Sequence, residues 1–267
     1  MELARSNDLG IAYSVEGSGE ETVLLVMGLG ARSADWGREF PAALAEKYRV
    51  VRFDNRGTGS SDKPKEAWTL DDMARDAVAV LDAVGVESAH VLGISMGGMI
   101  SQLIALDHPA RVKRLVLLST NFGGPTIVRP NAELIALLYS PPRGSAPEEI
   151  VRVAMQMITA PGFADAHPQL IDELVEYARV EPTPKAVFAT QLQAILSSDR
   201  SERVRDILAP TLVIHGDLDP LIPYENGVRL AERIPGARLV TLPGVGHVPS
   251  FEAPEQLATL VLEFLAG

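Results

Sequence analysis

The chain has 267 residues, 46% of them apolar, with a net charge of −11 and no cysteine. Its length suits one large domain or a domain with an insert, and its apolar share can fill a sizeable core. The acidity argues against nucleic acid or an anionic membrane as partner, since both require clustered Lys and Arg, and the lack of cysteine excludes disulfides, thiolate nucleophiles and Cys-ligated metals.

The opening "MELARSNDLG" lacks a basic segment followed by an apolar one, so no signal peptide is expected. No run of about 18 apolar residues predicts a membrane span. Together these favour a cytoplasmic protein. Short runs rich in Val, Ile and Leu then recur along the chain: "TVLLVM", "YRVVRFD", "AHVLG", "RLVLLS", "TLVIH" and "RLVTL". They are apolar throughout rather than alternating, as strands are when a parallel sheet is covered on both faces. Between the second and third runs, Met73, Ala77, Val80, Leu81 and Val84 share one helical face. Thr69 and Asp72 form a capping pair before them, and Gly85 marks the end. Near the carboxyl terminus Pro254 opens a helix whose inner face is Leu257, Leu260, Val261, Phe264 and Leu265.

This alternation predicts an α/β protein with an open, mostly parallel sheet flanked by helices. The pattern breaks from about Gly123 to Asp206, where helical stretches are separated by "GGP", "SPPRGSAP", "TAPGF" and "EPTP". The expected organisation is a core of residues 1–122 and 207–267 with a helical cap, or lid, over residues 123–206.

The stretch "HVLGISMGGMI" places Ser95 between Gly93 and Gly97, in the pattern G-x-S-x-G, where a buried strand hands over to a helix. In a nucleophile elbow the serine sits on a strained turn that only small neighbours permit, and Gly98 eases the same packing. The turn lifts the hydroxyl above the sheet and aims the Met96 amide at the reaction centre. A serine needs a base to take its proton. Of the five histidines, His90 begins a strand, His108 ends a helix, His167 lies in the predicted cap and His215 ends a strand before Gly216. His247 lies in the Gly-rich loop "LPGVGHVPSFEAPE" after the last strand, and sites in such sheets form at the carboxyl ends of strands. His247 is therefore the base. The carboxylate that orients it is Asp217 or Asp219, both in "TLVIHGDLDPLIP".

With "GISMGG", "HGDLDPLIP" and "GVGHVPSFEAPE" in the order Ser, Asp, His, the chain resembles the α/β-hydrolase superfamily from near its start to its end. "VVRFDNRGTGSSDKP" is similar to that family's loop after the second parallel strand. The resemblance implies a triad of Ser95, His247 and Asp219, since the family pattern G-x-x-D falls on Gly216 to Asp219. Its G-H-x-x-x-x-E-x-P pattern falls on Gly246 to Pro254. It further implies an oxyanion hole of two backbone amides, Met96 and, in "VLLVMGLGARSADW", Leu29. Met27 stands where the family usually has His, while Gly28 and Trp36 keep the expected spacing. A backbone donor does not need that histidine, but the hydrogen bonds with which it holds the loop must be replaced. Met-Gly at this place resembles a subset that includes esterases acting on aromatic polyketides.

The implied activity is cleavage of an ester or lactone of a small, largely apolar molecule, with no metal or organic cofactor. The same triad also serves perhydrolases or haloperoxidases without cofactor, and C–C hydrolases. Two other classes weigh less. A dinucleotide-binding protein would use Gly28 and Gly30 after a strand, with Asp54 on the ribose, but Ser33 replaces the third glycine and Asp35, Trp36 and Gly37 delay the helix. A noncatalytic binder on this fold usually lacks a triad member. "RGTGSS" lacks the Gly-Lys pair of a phosphate loop and reads as structural, with Asp54 and Arg56 pairing nearby. In the cap, "LIALLY" and "VRVAMQMI" offer Leu, Tyr and Met to an apolar ligand or to helix docking. Arg129, Arg143 and Arg179 are candidates for a substrate carboxylate or for solvated surface.

Overall fold

Eight strands form one sheet in a computed structural model that describes residues 1–130, 132–139, 146–180 and 182–267. They are β1 (Glu2–Ser6), β2 (Leu9–Glu16), β3 (Thr22–Val26), β4 (Arg49–Phe53), β5 (Ala89–Ile94), β6 (Val112–Leu118), β7 (Thr211–Gly216) and β8 (Arg238–Leu242). Their order across the sheet is β1-β2-β4-β3-β5-β6-β7-β8. The six expected runs are β3 to β8 and pair in parallel. The hairpin of β1 and β2, absent from the sequence reading, adds an antiparallel edge.

The helices are α1 (Glu39–Ala45), α2 (Leu70–Ala83), α3 (Met96–Asp107), α4 (Ala132–Tyr139), α5 (Pro147–Ile158), α6 (Phe163–Ala166), α7 (Pro168–Val180), α8 (Lys185–Leu196), α9 (Glu225–Arg233), α10 (Pro249–Glu252) and α11 (Pro254–Ala266). Alternate residues of each central strand feed two cores. Leu24 and Val26 pack with Met73, Ala77, Val80 and Leu81 of α2 and with α3, while Val23 and Leu25 pack with Phe40 of α1 and Leu257 and Val261 of α11. Each fully buried Leu, Val or Phe contributes about 1.5–3 kcal/mol, so both faces hold the sheet flat against helices. The capping box of α2 is formed, with Thr69 accepting from the Asp72 N–H and Asp72 from the Thr69 N–H. Gly85 follows with φ +71°, a turn that stops the helix.

From β6 to β7 the described residues contain α4 to α8 and one isolated bridge, Gly123 to Asp199, but no strand. Met155 of α5 packs with Ala164, Ile171 and Leu174, so this part of "VRVAMQMI" docks helix on helix. Arg143 lies outside the described residues. Arg129 is exposed, and Arg179 is an exposed residue paired with Glu176. Among the described residues no helix is long and apolar enough to cross a membrane.

The connections leave the sheet in opposite directions at one place. From β3 the chain moves one way to β4, then returns across β3 to β5. A crevice opens at such a switch point outside the carboxyl ends of the strands. The loops after β3 and β5 flank it, and those after β7 and β8 lie on the same edge.

Candidate active site

Ser95 joins β5 to α3 with φ 55° and ψ −122°, a conformation that L residues rarely adopt. The surroundings impose it. The Ser95 N–H donates to the Leu118 carbonyl (3.0 Å), and the Thr120 hydroxyl donates to the Ser95 carbonyl (2.7 Å). The elbow needs its glycines because a Cβ at Gly93 would run into the Gly97 carbonyl, and one at Gly97 into the Val26 carbonyl. Strand and helix therefore cross at a distance that only backbone tolerates. Strain of this kind costs on the order of 1–3 kcal/mol and persists where the surrounding fold over-determines it.

Asp219 follows β7. Its Oδ1 accepts from the N–H groups of Leu221 (2.9 Å) and Ile222 (2.8 Å). Its Oδ2 accepts from His247 Nδ1 at 2.8 Å. Both side chains are buried. Burial by itself raises the carboxyl, but the facing His247 and the hydrogen bonds from His215 and His247 outweigh it and hold Asp219 at about 2. An ionised Asp219 requires the proton of His247 on Nδ1, which leaves Nε2 as the basic nitrogen. Asp217, the alternative, is an exposed turn carboxylate that accepts from the Gly244 N–H (2.7 Å).

The His247 loop is fixed at three points. Glu252 accepts from the N–H groups of Gly246 (2.8 Å), Val248 (3.0 Å) and Ala160 (2.7 Å). The His247 N–H donates to the Ile158 carbonyl at the end of α5 (2.8 Å). Ser95 and His247 share no hydrogen bond among the described residues, and such contacts are commonly long before substrate binds.

The loop after β3 solves the problem of the absent histidine. The Met27 side chain joins the buried core, and its carbonyl accepts from Asn55 Nδ2 (2.9 Å). The Ser33 N–H donates to Asp54 (2.7 Å) and the Gly30 N–H to Gln191 Oε1 of α8 (2.8 Å). A Cβ at Gly28 would lie 3.3 Å from Ser95 Cβ, so this loop passes directly beside the serine. The Leu29 and Met96 N–H groups have no protein acceptor among the described residues.

Sequence reasoning missed Asn55 and Gln191, whose side chains reach backbone atoms far along the chain, and no local pattern marks such contacts. It also missed the contact of His215, whose Nε2 lies 2.8 Å from the Ile222 carbonyl and 3.3 Å from Asp219 Oδ2. The expected pairing of Asp54 with Arg56 is corrected. Arg56 binds Asp76 twice (2.6 and 2.7 Å), while Asp54 takes the N–H groups of Ser33 and Ser60, which also leaves it unavailable to a ribose. His90 is buried in β5 beside Tyr48 and Glu21, His108 caps α3, and His167 is exposed.

A family model described as the alpha/beta hydrolase fold matches residues 21–254. The chain belongs to the alpha/beta hydrolase family. Among its relatives in this family, the RutD protein of Caulobacter sp. strain K31, which carries the name of a carbamate hydrolase, is 34% identical over 97% of this chain and 96% of its own. A 2-hydroxy-6-oxononadienedioate/2-hydroxy-6-oxononatrienedioate hydrolase of Paraburkholderia phymatum is 30% identical, covering 98% of this chain and 93% of that one. Among solved structures, the enol-lactonase of Burkholderia xenovorans LB400 superposes with a TM-score of 0.86 at 25% identity, over 98% of both chains. These proteins share the hydrolase fold and carry names for different substrates. As a member of this family the chain is a hydrolase, and a small-molecule substrate fits that fold.

Proposed function

We propose that this hydrolase cleaves an ester or lactone of a small, largely apolar substrate by acyl transfer through Ser95. His247 takes the Ser95 proton as the hydroxyl attacks the carbonyl carbon. Asp219 holds the imidazole in the tautomer that leaves Nε2 free, and stabilises the imidazolium. The Leu29 and Met96 N–H groups receive the oxyanion. His247 then gives its proton to the leaving alkoxide, and in the second half it activates the water that releases the acyl group. No step calls on a metal or an organic cofactor. Residues 123–206 serve as the cap over a core of 1–122 and 207–267.

The observation that carries this reading is a strained serine with the Gly28 loop packed beside it and a helix beginning directly after it. Leu29 follows Gly28, at which a Cβ would lie 3.3 Å from Ser95 Cβ, and Met96 begins the helix that Ser95 caps. In this reading the two amides are oxyanion donors, each worth about 2.7–4 kcal/mol to the transition state. A second reading, C–C bond hydrolysis on the same residues, draws on the similarity to the Paraburkholderia phymatum protein.

The test is turnover of purified protein against simple esters, lactones, a carbamate and a vinylogous diketone, with and without peroxide. The proposal expects ester or lactone turnover to exceed the others by at least about tenfold in kcat/KM, a gap of about 1.4 kcal/mol in transition-state binding. Preferential cleavage of the diketone establishes the second reading in its place.

A further inference from the structure

Residues Gly28 to Ala31 make a tight turn. The Ala31 N–H donates to the Gly28 carbonyl at 3.4 Å, and Gly30, the third residue, has φ +70°. Positive φ at that place marks a turn whose central peptide, between Leu29 and Gly30, can take either of two orientations when glycine occupies it. Three residues from distant sequence hold Gly30: Gln191 binds the central peptide, Thr183 the peptide after it, and Phe188 packs on the glycine itself. Gln191, fully buried on α8, accepts the Gly30 N–H on Oε1 at 2.8 Å. Thr183 donates its hydroxyl to the Gly30 carbonyl at 2.7 Å. The Phe188 ring covers the remaining side, where a Cβ on Gly30 would lie 2.9 Å from Cδ2.

Gln191 is itself anchored. Its Nε2 faces the Arg56 carbonyl at 3.4 Å, and the Arg56 guanidinium is locked on buried Asp76. The amide orientation follows from these partners, because the Gly30 N–H needs an acceptor and the Arg56 carbonyl needs a donor. Earlier in the helical stretch between β6 and β7, the end of α5 reaches the His247 loop: Ile158 accepts the His247 N–H, and Ala160 donates to Glu252.

We infer that Gln191 is a positioning residue for catalysis, fixing the Gly28–Ala31 turn so that the Leu29 N–H points at the oxyanion. The helical segment then assembles half of the site as well as covering it. This rests on the reading of Leu29 as an oxyanion donor. Gln191 touches no reacting atom, so it acts on the transition state and leaves ground-state binding nearly alone.

Gln191→Met keeps the volume and removes both polar groups. We expect kcat on a good ester to fall about 10- to 100-fold, the scale of a displaced catalytic donor, with KM within about threefold of wild type. Binding of a phenylboronic acid, whose serine adduct carries an oxygen in the hole, should weaken by the same factor. Gln191→Glu, whose protonated carboxyl offers the same acceptor and donor, should recover most of the loss. Thermal melting checks folding, and if Gln191→Met does not fold, Thr183→Val at its half-buried position carries the test with the same split. A folded variant with unchanged kcat, or one in which KM rises while kcat holds, overturns the inference. Fluorophosphonate labelling of wild type separates the two levels. Absence of label on Ser95 overturns the parent reading and this one with it, whereas normal labelling with an unaffected variant overturns this one alone.

Discussion

Asp219 carries a negative charge away from water, and four donors make that possible: the Leu221 and Ile222 N–H groups, His247 Nδ1 and His215 Nε2. Its carboxyl sits at about 2 against an ordinary 3.8, so folding favours the ionised form. The stability this supplies is complete above 3.8 and is lost as pH falls through about 2. Urea melts of wild type and Asp219→Asn should therefore differ most at neutral pH and converge as pH falls toward 2. Asp219 stays ionised until then, and so continues to accept from His247 Nδ1. Asp219→Asn should lower kcat by about 10³–10⁴-fold, while Asp217→Asn, which alters only an exposed turn, should change it little. Equal losses refute the assignment. At the oxyanion loop, Met27→Leu keeps the core volume and the Asn55 hydrogen bond to backbone, and should cost under about 1.5 kcal/mol of stability with near-normal kcat. Gly28→Val drives carbon into Ser95 and should cost turnover equivalent to a lost donor, about 2.7–4 kcal/mol. Steady-state kinetics with thermal melts check both. The strained turn at Ser95 and the His247–Asp219 contact lie in short sequence patterns, which is why the proposed triad could be picked out from sequence. Asn55 and Gln191 could not, because each acts across the fold on a backbone atom that every residue has, and His215 could not, because its reach back to Asp219 depends on how the turn after β7 folds.

Two elements contrast a local signal with a tertiary one. The start of α2 was legible, since Thr69 and Asp72 satisfy each other's N–H groups within four residues. Thr69→Ala should cost about 0.5–2 kcal/mol of stability and leave turnover unchanged. Short α10 is held instead by what Glu252 does. It gathers the N–H groups of Gly246, Val248 and Ala160, joining the His247 loop to the end of α5. Glu252→Gln turns an amide NH2 toward one of these donors. It should cost about 1–3 kcal/mol in chemical denaturation and also reduce kcat, because the loop that carries His247 loosens. A variant that loses stability with kcat intact would show that the loop is set elsewhere. The G-H-x-x-x-x-E-x-P pattern pointed at Glu252, but the Ala160 partner was invisible. The β1–β2 hairpin escaped notice for a related reason. At the sheet edge "ELARS" and "LGIAYSVE" bury only part of their residues, so no continuous apolar run announces them.

At the scale of the molecule, the sheet order places the loops after β3 and β5 on either side of a switch point and brings the ends of β7 and β8 to the same edge. Four loops far apart in sequence thereby bring Gly28, Ser95, Asp219 and His247 to one edge, where the proposed mechanism uses them. The parallel core could be read from its apolar runs because burial on both faces leaves no other pattern. Which bond the hydrolase breaks could not, because relatives with the same fold carry names for different bonds. The proposed mechanism depends above all on Ser95 as the nucleophile. The most direct measurement is peptide mapping of protein treated with a fluorophosphonate, beside the turnover of Ser95→Ala. One adduct is expected, on Ser95 in "GISMGG". The Ser95→Ala variant should fold, take no label and turn over at least about 10⁴-fold more slowly. An adduct on another residue, or a Ser95→Ala variant with near-normal turnover, contradicts Ser95 as the nucleophile.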